Sequence, residues 1–443
     1  MKLLSRALLL LLCISFGVSC KKNTDNSKPI TIKDEIQNLF PNAQIDSIPS
    51  KGHFKNSFRI QYDSPLDPKH PESGSFKHTL YLSHVDVNAP TVLVTDGYAS
   101  YPRKTELSTL LESNQVIVEY RMYGSSRPNP IPWTYLTNDN AVEDYHFIVE
   151  KLKKIYRGKW LSTGISKGGE TTMIYKSKYP NDVDVAVPYV APLINGVEDP
   201  RPNTHINSVG EASCRQRIRD IQRAILRDKK QALLSFHKIA TTEKLSFTEV
   251  RPAEALEYAV LEFPFSFWQW NGNCTALPQK GATTETLVNF VHEVVGIGFY
   301  SDAGYERYLP SFYQHLRELG YYGFDLTPVA DLLTEVTSSS NSRFAPKNAA
   351  LNYNPNYIKK VRDYVEQRGN HILYIYGGLD PWGACAPVPN AQLNALKMVL
   401  PTGTHKTRIK DFSPEAQDSI YATLQSWLGK DIKIHPLYKK QTR

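Results

Sequence analysis

The chain has 443 residues, and its 52 lysines and arginines exceed its 44 aspartates and glutamates to give a formal net charge of +8. No basic stripe with interleaved aromatic residues is present, which argues against a nucleic-acid-binding protein. The sequence also lacks the cysteine and histidine spacing of a zinc site and the glycine loop of a phosphate site, so we predict neither a metal nor another cofactor.

The first 19 residues have the pattern of an export signal. Lys2 and Arg6 make a positive start, residues 7–16 form an apolar core too short to anchor stably across a bilayer, and small residues lead to Cys20. This pattern resembles a bacterial lipoprotein signal, which predicts lipidation of Cys20 and a membrane-anchored protein of the periplasm or outer membrane. An ordinary secretory signal is the alternative. Residues 20–53 are predicted to form a tether and an N-terminal extension.

Strand and helix patterns alternate over residues 54–194, which predicts the first part of an α/β core with a mainly parallel sheet. The strand over 90–96 runs into Asp96-Gly97-Tyr98, a turn whose Tyr98 N–H is a candidate oxyanion donor. An ordinary Asp-Gly turn is the alternative. The other predicted elements are strands at 58–62, 78–83, 116–120 and 183–190 and a helix at 140–156.

A Gly-x-Ser-x-Gly motif at 164–168 follows a short predicted strand and precedes a helix-forming run. That context is typical of a nucleophile elbow, in which glycines permit a sharp turn that exposes the serine hydroxyl. Ser166 is therefore the candidate nucleophile, and the N–H of Lys167 is the first candidate oxyanion donor. The Lys167 side chain is alternatively an ordinary helix-start residue in solvent.

The strand signal fades over residues 195–369, where helices are predicted at 215–229, 253–263, 285–295 and 356–368. This segment is predicted to be a helical cap inserted into the core. The core pattern returns over 370–443, with strands at 371–378 and 395–400 and a helix at 414–428.

Two residues of this last part complete a catalytic set. Asp380 follows the strand at 371–378, and His405 lies between the strand at 395–400 and the final helix. Ser166, Asp380 and His405 occur in the chain order of an α/β-hydrolase triad. We therefore predict an α/β-hydrolase fold in which His405, oriented by Asp380, activates Ser166.

Four segments together resemble a known family. The motif at 164–169 resembles that of the secreted bacterial serine tripeptidyl aminopeptidases, which are relatives of the prolyl carboxypeptidases and dipeptidyl peptidases. Residues 119–126 resemble the Glu-His-Arg-x-Tyr-Gly-x-Ser block of those relatives, with Tyr120 in place of His. Residues 377–382 resemble their acid motif, and 267–274 are similar to a cap segment that contains Trp and Cys. The resemblance implies a capped α/β-hydrolase peptidase that acts near peptide N-termini and tolerates proline.

The cap sequence supplies candidate substrate-binding residues. Glu257 and Glu262 lie close to several aromatic residues, including Trp268 and Trp270, in a composition suited to an apolar pocket with one charged end. An aminopeptidase must hold a protonated α-amine, which a desolvated carboxylate does well. We predict Glu262 as this anchor. Alternatively, the two glutamates lie on the surface and the aromatic residues close the cap core.

The sequence also suggests a disulfide bond and a buried ion pair. Export makes a disulfide possible among Cys214, Cys274 and Cys385, either between cap and core as Cys274–Cys385 or within the cap as Cys214–Cys274, and all three thiols could be reduced. Glu119 and Arg121, at the end of a predicted strand, are predicted to form a buried ion pair beneath the active site.

The combined prediction is an exported, lipid-anchored serine peptidase with peptide substrates. Within enzymes, the alternatives are a carboxylesterase or lipase-like hydrolase and a prolyl carboxypeptidase-like exopeptidase, because the fold does not determine which bond is broken. A binding lipoprotein that uses a hydrolase fold is the alternative outside enzymes.

Overall fold

A nine-stranded sheet lies at the centre of the fold in the computed structural model, which describes residues 30–437. The predicted signal and Cys20 lie outside these residues. The strands are β1 Gln44–Ile48, β2 Asn56–Pro65, β3 Ser75–His84, β4 Thr91–Thr95, β5 Asn114–Val118, β6 Trp160–Ile165, β7 Val185–Tyr189, β8 Leu373–Gly377 and β9 Leu396–Leu400.

The sheet is mainly parallel, as predicted. Its order is β1-β2-β3-β5-β4-β6-β7-β8-β9. The pairs β1–β2, β2–β3 and β3–β5 are antiparallel, and every later pair is parallel. Strands β4, β5, β7 and β8 are buried along their whole length, which explains their nearly continuous apolar sequences. The prediction of an α/β-hydrolase fold is confirmed.

Helices cover the sheet and build the segment between β7 and β8. They are α1 Ile32–Leu39, α2 Glu106–Leu111, α3 Asn138–Leu152, α4 Lys167–Lys178, α5 Arg201–Ile206, α6 Ala212–Arg227, α7 Lys229–Thr242, α8 Pro252–Trp270, α9 Thr284–Val295, α10 Asp302–Gln314, α11 Pro355–Gln367 and α12 Pro414–Leu428. Local signals explain several starts: Ser413, for example, accepts a hydrogen bond from the Ala416 N–H, with Pro414 as the first residue of α12.

Helix α8 is longer than its sequence pattern predicts. The expected end at residue 263 precedes Pro264, but the helix continues through that proline to Trp270. Burial of Phe265 and Phe267 explains the continuation, because packing of these large rings outweighs the local cost of an internal proline.

The cap has a hydrophobic core of its own, made largely by α6 to α9 and separate from the cluster around the sheet. Helix α11 belongs to the sheet side, since Ile358, Val361 and Val365 pack in the same cluster as Ile372 and Tyr374. The helical segment predicted over 195–369 therefore ends with a helix of the core, because the apolar face of α11 packs in the cluster around the sheet and the helix contacts α4.

The predicted Glu119–Arg121 ion pair is wrong. Arg121 instead makes a bidentate bond with Asp144 of α3, at 2.7 Å from Nε and 2.8 Å from Nη2, in a fully buried environment. The Glu119 carboxylate accepts hydrogen bonds from Ser125 and Ser126, and from the Ser100 N–H. Asp144 prevails because a carboxylate on α3 meets the planar guanidinium with both oxygens.

The cap contains the disulfide, which joins Cys214 of α6 to Cys274 just beyond α8. This is one of the pairings that the sequence left open. Cys385 is a buried free thiol, and burial raises its pKa to about 12.

In the described part of the chain, no helix is both long and apolar enough to cross a membrane.

Removal of the cap disulfide by Cys214→Ala with Cys274→Ala should destabilise the protein. The bond closes a 60-residue separation, and the loop-entropy estimate for that length is about 4 kcal/mol. Thermal unfolding measures the effect. Dithiothreitol should lower the Tm of the parent protein and leave that of the variant unchanged, whereas an equal response of both proteins would contradict the assignment.

Candidate active site

Ser166 lies at the turn between β6 and α4. Its φ of 57° and ψ of −126° fall outside the regions that residues with a side chain prefer, and such a conformation costs on the order of 1–3 kcal/mol. The Ser166 N–H donates to the Tyr189 carbonyl oxygen at 2.9 Å, which ties the turn to β7. This is the backbone of a nucleophile elbow, and it directs the serine side chain into a cavity.

Two glycines allow the loop after β4 to contact the elbow through backbone atoms. A Cβ on Gly168 would lie 2.6 Å from the Thr95 carbonyl oxygen, and a Cβ on Gly97 would lie 2.7 Å from the Gly168 nitrogen. Any side chain at either position would force the loop and the helix apart. The close contact brings Tyr98 and Lys167, the two predicted oxyanion donors, to the wall of the same cavity.

Asp380 and His405 form a buried hydrogen-bonded pair. The distance from His405 Nδ1 to Asp380 Oδ2 is 2.7 Å, and the two side chains are 3% and 0% exposed. Asp380 also accepts a hydrogen bond from the Trp382 N–H at the start of the turn after β8. A carboxylate on Nδ1 favours the imidazole form that carries its proton there, which leaves Nε2 able to accept a proton.

The cap also fixes His405. The His405 N–H donates to the Gln269 carbonyl oxygen at 2.8 Å, and the imidazole meets the Trp270 ring edge-on at 5.1 Å. Both contacts come from the end of α8. A cap element thus holds the histidine that the core alone would present on a loop.

One cavity of about 980 Å³ brings together most of the predicted site residues. Ser166, Lys167, Tyr98 and His405 line its core side, and Glu262 and Trp270 line its cap side. Asp380 lies behind His405.

Trp268 does not lie in this cavity. It is 1% exposed within the cap core and borders a separate small cavity. Helical spacing explains the difference, because the α8 residues on the large cavity are Glu262, Phe265, Ser266, Gln269 and Trp270. Position 268 falls on the opposite face of the helix. The prediction that Trp268 contacts substrate is therefore wrong.

Glu262 is the acidic group on the cap wall. Its Oε1 accepts a hydrogen bond from Ser266 at 2.8 Å, and its Oε2 accepts one from the Tyr322 hydroxyl. Burial raises the pKa of Glu262 to about 7. Tyr322, which the sequence prediction missed, stacks on Phe265 at 4.0 Å. Its only signal in the sequence is the Tyr321-Tyr322 pair, which by itself does not distinguish a core position from a site position.

The Lys167 side chain is buried, and the solvent-exposed alternative is wrong. It is 2% exposed, and its Nζ donates to the Gly97 carbonyl oxygen at 2.8 Å. Burial lowers the pKa of Lys167 to about 7 and raises that of nearby Glu170 to about 8.

Across residues 30–437, no group of three or more His, Cys, Asp or Glu side chains is placed to hold a metal ion.

The chain is similar in sequence to two known peptidase-related proteins. The chain is 29% identical over 413 residues to the prolyl tri/tetrapeptidyl aminopeptidase of Streptomyces mobaraensis, with 90% of this chain and 85% of that protein covered. It is 26% identical over 152 residues to prolyl carboxy peptidase like protein 5 of Caenorhabditis elegans, which covers 29% of this chain and 30% of that protein.

Among solved structures, a proline iminopeptidase from Mycobacterium smegmatis covers 83% of this chain and 97% of its own, at 13% identity and a TM-score of 0.36. Similarity at that level supports no argument about function. The sequence profile of PS-10 peptidase S37 matches residues 25–434, which confirms the predicted resemblance and the assignment to the peptidases. The chain belongs to the PS-10 peptidase S37 family.

Proposed function

We propose that this serine peptidase releases short peptides, chiefly tripeptides, from free N-termini through an acyl-enzyme on Ser166. The observation that carries the proposal is the placement of Ser166, the Asp380–His405 pair and the carboxylate of Glu262 around one cavity. The name of the Streptomyces relative, a prolyl tri/tetrapeptidyl aminopeptidase, supports the same class of reaction.

The chemistry follows from the geometry of the core wall. His405 Nε2 takes the proton of the Ser166 hydroxyl, and Oγ attacks the scissile carbonyl carbon. The N–H groups of Tyr98 and Lys167 hold the oxyanion that forms. Lys167 is the first residue of α4, so its N–H lacks an acceptor within the helix and is free to donate. His405 then gives its proton to the leaving amine, and water hydrolyses the acyl-enzyme.

Glu262 supplies the anchor for the substrate α-amine. An ammonium group on this enclosed carboxylate makes a charge-assisted hydrogen bond, which is stronger than one between neutral groups. The surrounding rings, which include Phe265 and Tyr322, keep the site poor in competing water.

The spacing along α8 supports release of three residues. Glu262 and Trp270, which borders His405, are eight residues apart, and at the helical rise of 1.5 Å per residue this is about 12 Å. Three extended peptide residues span about 10 Å. Trp270 then packs against the residue before the scissile bond, where its apolar ring suits a proline side chain.

Export and lipidation at Cys20 are part of the proposal. The basic start and the short apolar segment support export, and the Cys214–Cys274 disulfide is compatible with an oxidising compartment. Cys20→Ala should abolish incorporation of a labelled fatty acid and release the protein from membranes. Retention of the label would assign any lipid to another residue.

Turnover of a matched substrate set tests the reaction. The set contains chromogenic tripeptides ending in proline or alanine, each with a free or acetylated N-terminus, and a short acyl ester. Ser166-dependent cleavage of the free tripeptides alone is expected. Asp380→Asn should lower kcat by about 10⁴-fold, because it stabilises the wrong imidazole form. Cleavage of the ester alone would indicate an esterase, and turnover that survives Ser166→Ala would reject the mechanism.

Glu262→Gln should lower kcat/KM for free tripeptides by about 10- to 100-fold, the equivalent of one charge-assisted hydrogen bond. With the pKa of Glu262 near 7, its carboxylate ionises as the pH rises through that value, so KM for free tripeptides should fall over this range. The variant should lose this dependence. Above pH of about 8 the peptide α-amine loses its own proton, and KM should rise again in the parent enzyme.

Glu257→Gln is the matched control. Glu257 lies on the same helix, but its carboxylate binds Lys229 and the N–H groups of residues 334–336, away from the cavity. This variant should lose stability and keep the preference for free N-termini. If both variants shift that preference equally, Glu262 is not the anchor.

A further inference from the structure

The side chain that follows the nucleophile lies in an unusual environment. Lys167 Nζ is enclosed by three tyrosine rings, at 3.6 Å from the centre of Tyr120, 5.4 Å from that of Tyr123 and 5.6 Å from that of Tyr98. Its hydrogen bond goes to the Gly97 carbonyl oxygen at 2.8 Å. A buried amine is costly, and the faces of the rings and this carbonyl offset part of the cost.

The bonded carbonyl belongs to the peptide group that contains the Tyr98 N–H. In a planar trans peptide, the C=O and the N–H point in opposite directions. A hydrogen bond that fixes the Gly97 oxygen on one side therefore fixes the direction of the Tyr98 N–H on the other. Donation to the oxygen also polarises the amide and strengthens its N–H as a donor.

We propose that Lys167 is a positioning residue whose side chain aims and polarises the Tyr98 N–H toward the oxyanion. The inference rests on the proposed function, because the Tyr98 N–H has an oxyanion to hold only if Ser166 attacks a carbonyl. Lys167 then serves the oxyanion twice: its own N–H donates directly, and its side chain orients the second donor. One residue couples the elbow to the loop after β4.

The charges around Lys167 are compatible with this role. Glu170 on the same helix and Glu318, just after α10, favour the ammonium form, and His315 is a nearby group whose protonation burial and the lysine charge both oppose. Both carboxylate oxygens of Glu170 lack a hydrogen-bond partner within residues 30–437. Glu170 therefore makes no direct bond to Lys167, and the hydrogen bond of Nζ goes to the Gly97 carbonyl oxygen. A lysine amine donates hydrogen bonds in either protonation state.

The burial of the Lys167 amine also gives a role to Tyr120, the residue that stands in place of His in the Glu-His-Arg block that residues 119–126 otherwise resemble. The Tyr120 hydroxyl donates to Asn138 at 2.9 Å and accepts from Gln314 at 2.8 Å, which holds the ring in place. Its negative face then meets Nζ. A histidine in the same place would lack the phenol hydroxyl that makes these two hydrogen bonds.

Lys167→Met tests the inference, because it removes the amine and keeps most of the apolar stem. Loss of an oxyanion donor costs about 10²- to 10³-fold in kcat, so misdirection of one donor should cost about 10- to 100-fold. KM for a free tripeptide should change by less than about threefold, because the interaction acts on the transition state. Affinity for a tripeptide boronic acid, which forms a tetrahedral adduct with Ser166, should fall in parallel with kcat, and affinity for the product tripeptide should not.

Lys176→Met is the matched control. Lys176 lies on the same helix, is 5% exposed, and donates from Nζ to the carbonyl oxygens of Pro180 and Val183 at 2.7 Å each. Its substitution removes a buried amine from α4 far from the loop after β4. We expect a loss of Tm comparable with that of Lys167→Met, with unchanged kcat and unchanged boronic acid affinity.

The outcomes separate the inference from the proposed function. A kcat loss in Lys167→Met no larger than in Lys176→Met, or a loss confined to KM, overturns the positioning role while Ser166-dependent turnover stands. Turnover that survives Ser166→Ala overturns the proposed function itself. If Lys167→Met does not fold, Lys167→Gln replaces it with the same expectations, because its amide is one atom too short to replace the bond to Gly97.

Discussion

The active site depends on a backbone-to-backbone contact between the loop after β4 and the start of α4. Gly97 and Gly168 have no Cβ, so Gly97 packs against the Gly168 nitrogen and Gly168 packs against the Thr95 carbonyl oxygen, where any side chain would collide. The Thr95 hydroxyl reinforces the contact through a 2.9 Å hydrogen bond to the Gly168 carbonyl oxygen. The candidate nucleophile Ser166 and both candidate oxyanion donors are thereby placed at the end of a parallel sheet, where groups from neighbouring strands converge.

The cap contributes residues to the cavity that contains Ser166 and holds His405 in place. Helix α8 carries Glu262 and Trp270 on one face, and its Gln269 carbonyl holds the backbone of His405. The opposite face packs into the hydrophobic core of the cap, which the Cys214–Cys274 disulfide closes at its edge. A single helix thus carries Glu262, the proposed substrate anchor, and holds the backbone of His405, so displacement of the cap would disturb both at once.

Burial shapes the electrostatics of the cavity. Glu262, Glu170 and Lys167 all border it, and burial shifts the pKa of each toward the neutral form. In such an environment a charge that arrives with the substrate, or forms in the transition state, interacts more strongly than it would in water. The same energetic argument makes an α-amine a suitable partner for Glu262 and the Gly97 carbonyl a suitable partner for Lys167.

Features that short stretches of chain encode could be predicted from the amino-acid sequence. The Gly-x-Ser-x-Gly motif predicted the turn between β6 and α4, and continuous apolar runs predicted the buried strands. The order of Ser166, Asp380 and His405 predicted that the loops after β6, β8 and β9 meet at the carboxyl ends of the parallel strands. Which neighbours a given side chain contacts could be read only from the folded chain. Trp268 and Trp270 are two positions apart yet face different cavities, Arg121 pairs with Asp144 rather than Glu119, and the Lys167 amine is buried rather than solvated. Backbone turns and hydrophobic periodicity depend on interactions within about ten residues of chain. Side-chain partners across a packed interface depend instead on how elements that are distant in the sequence dock.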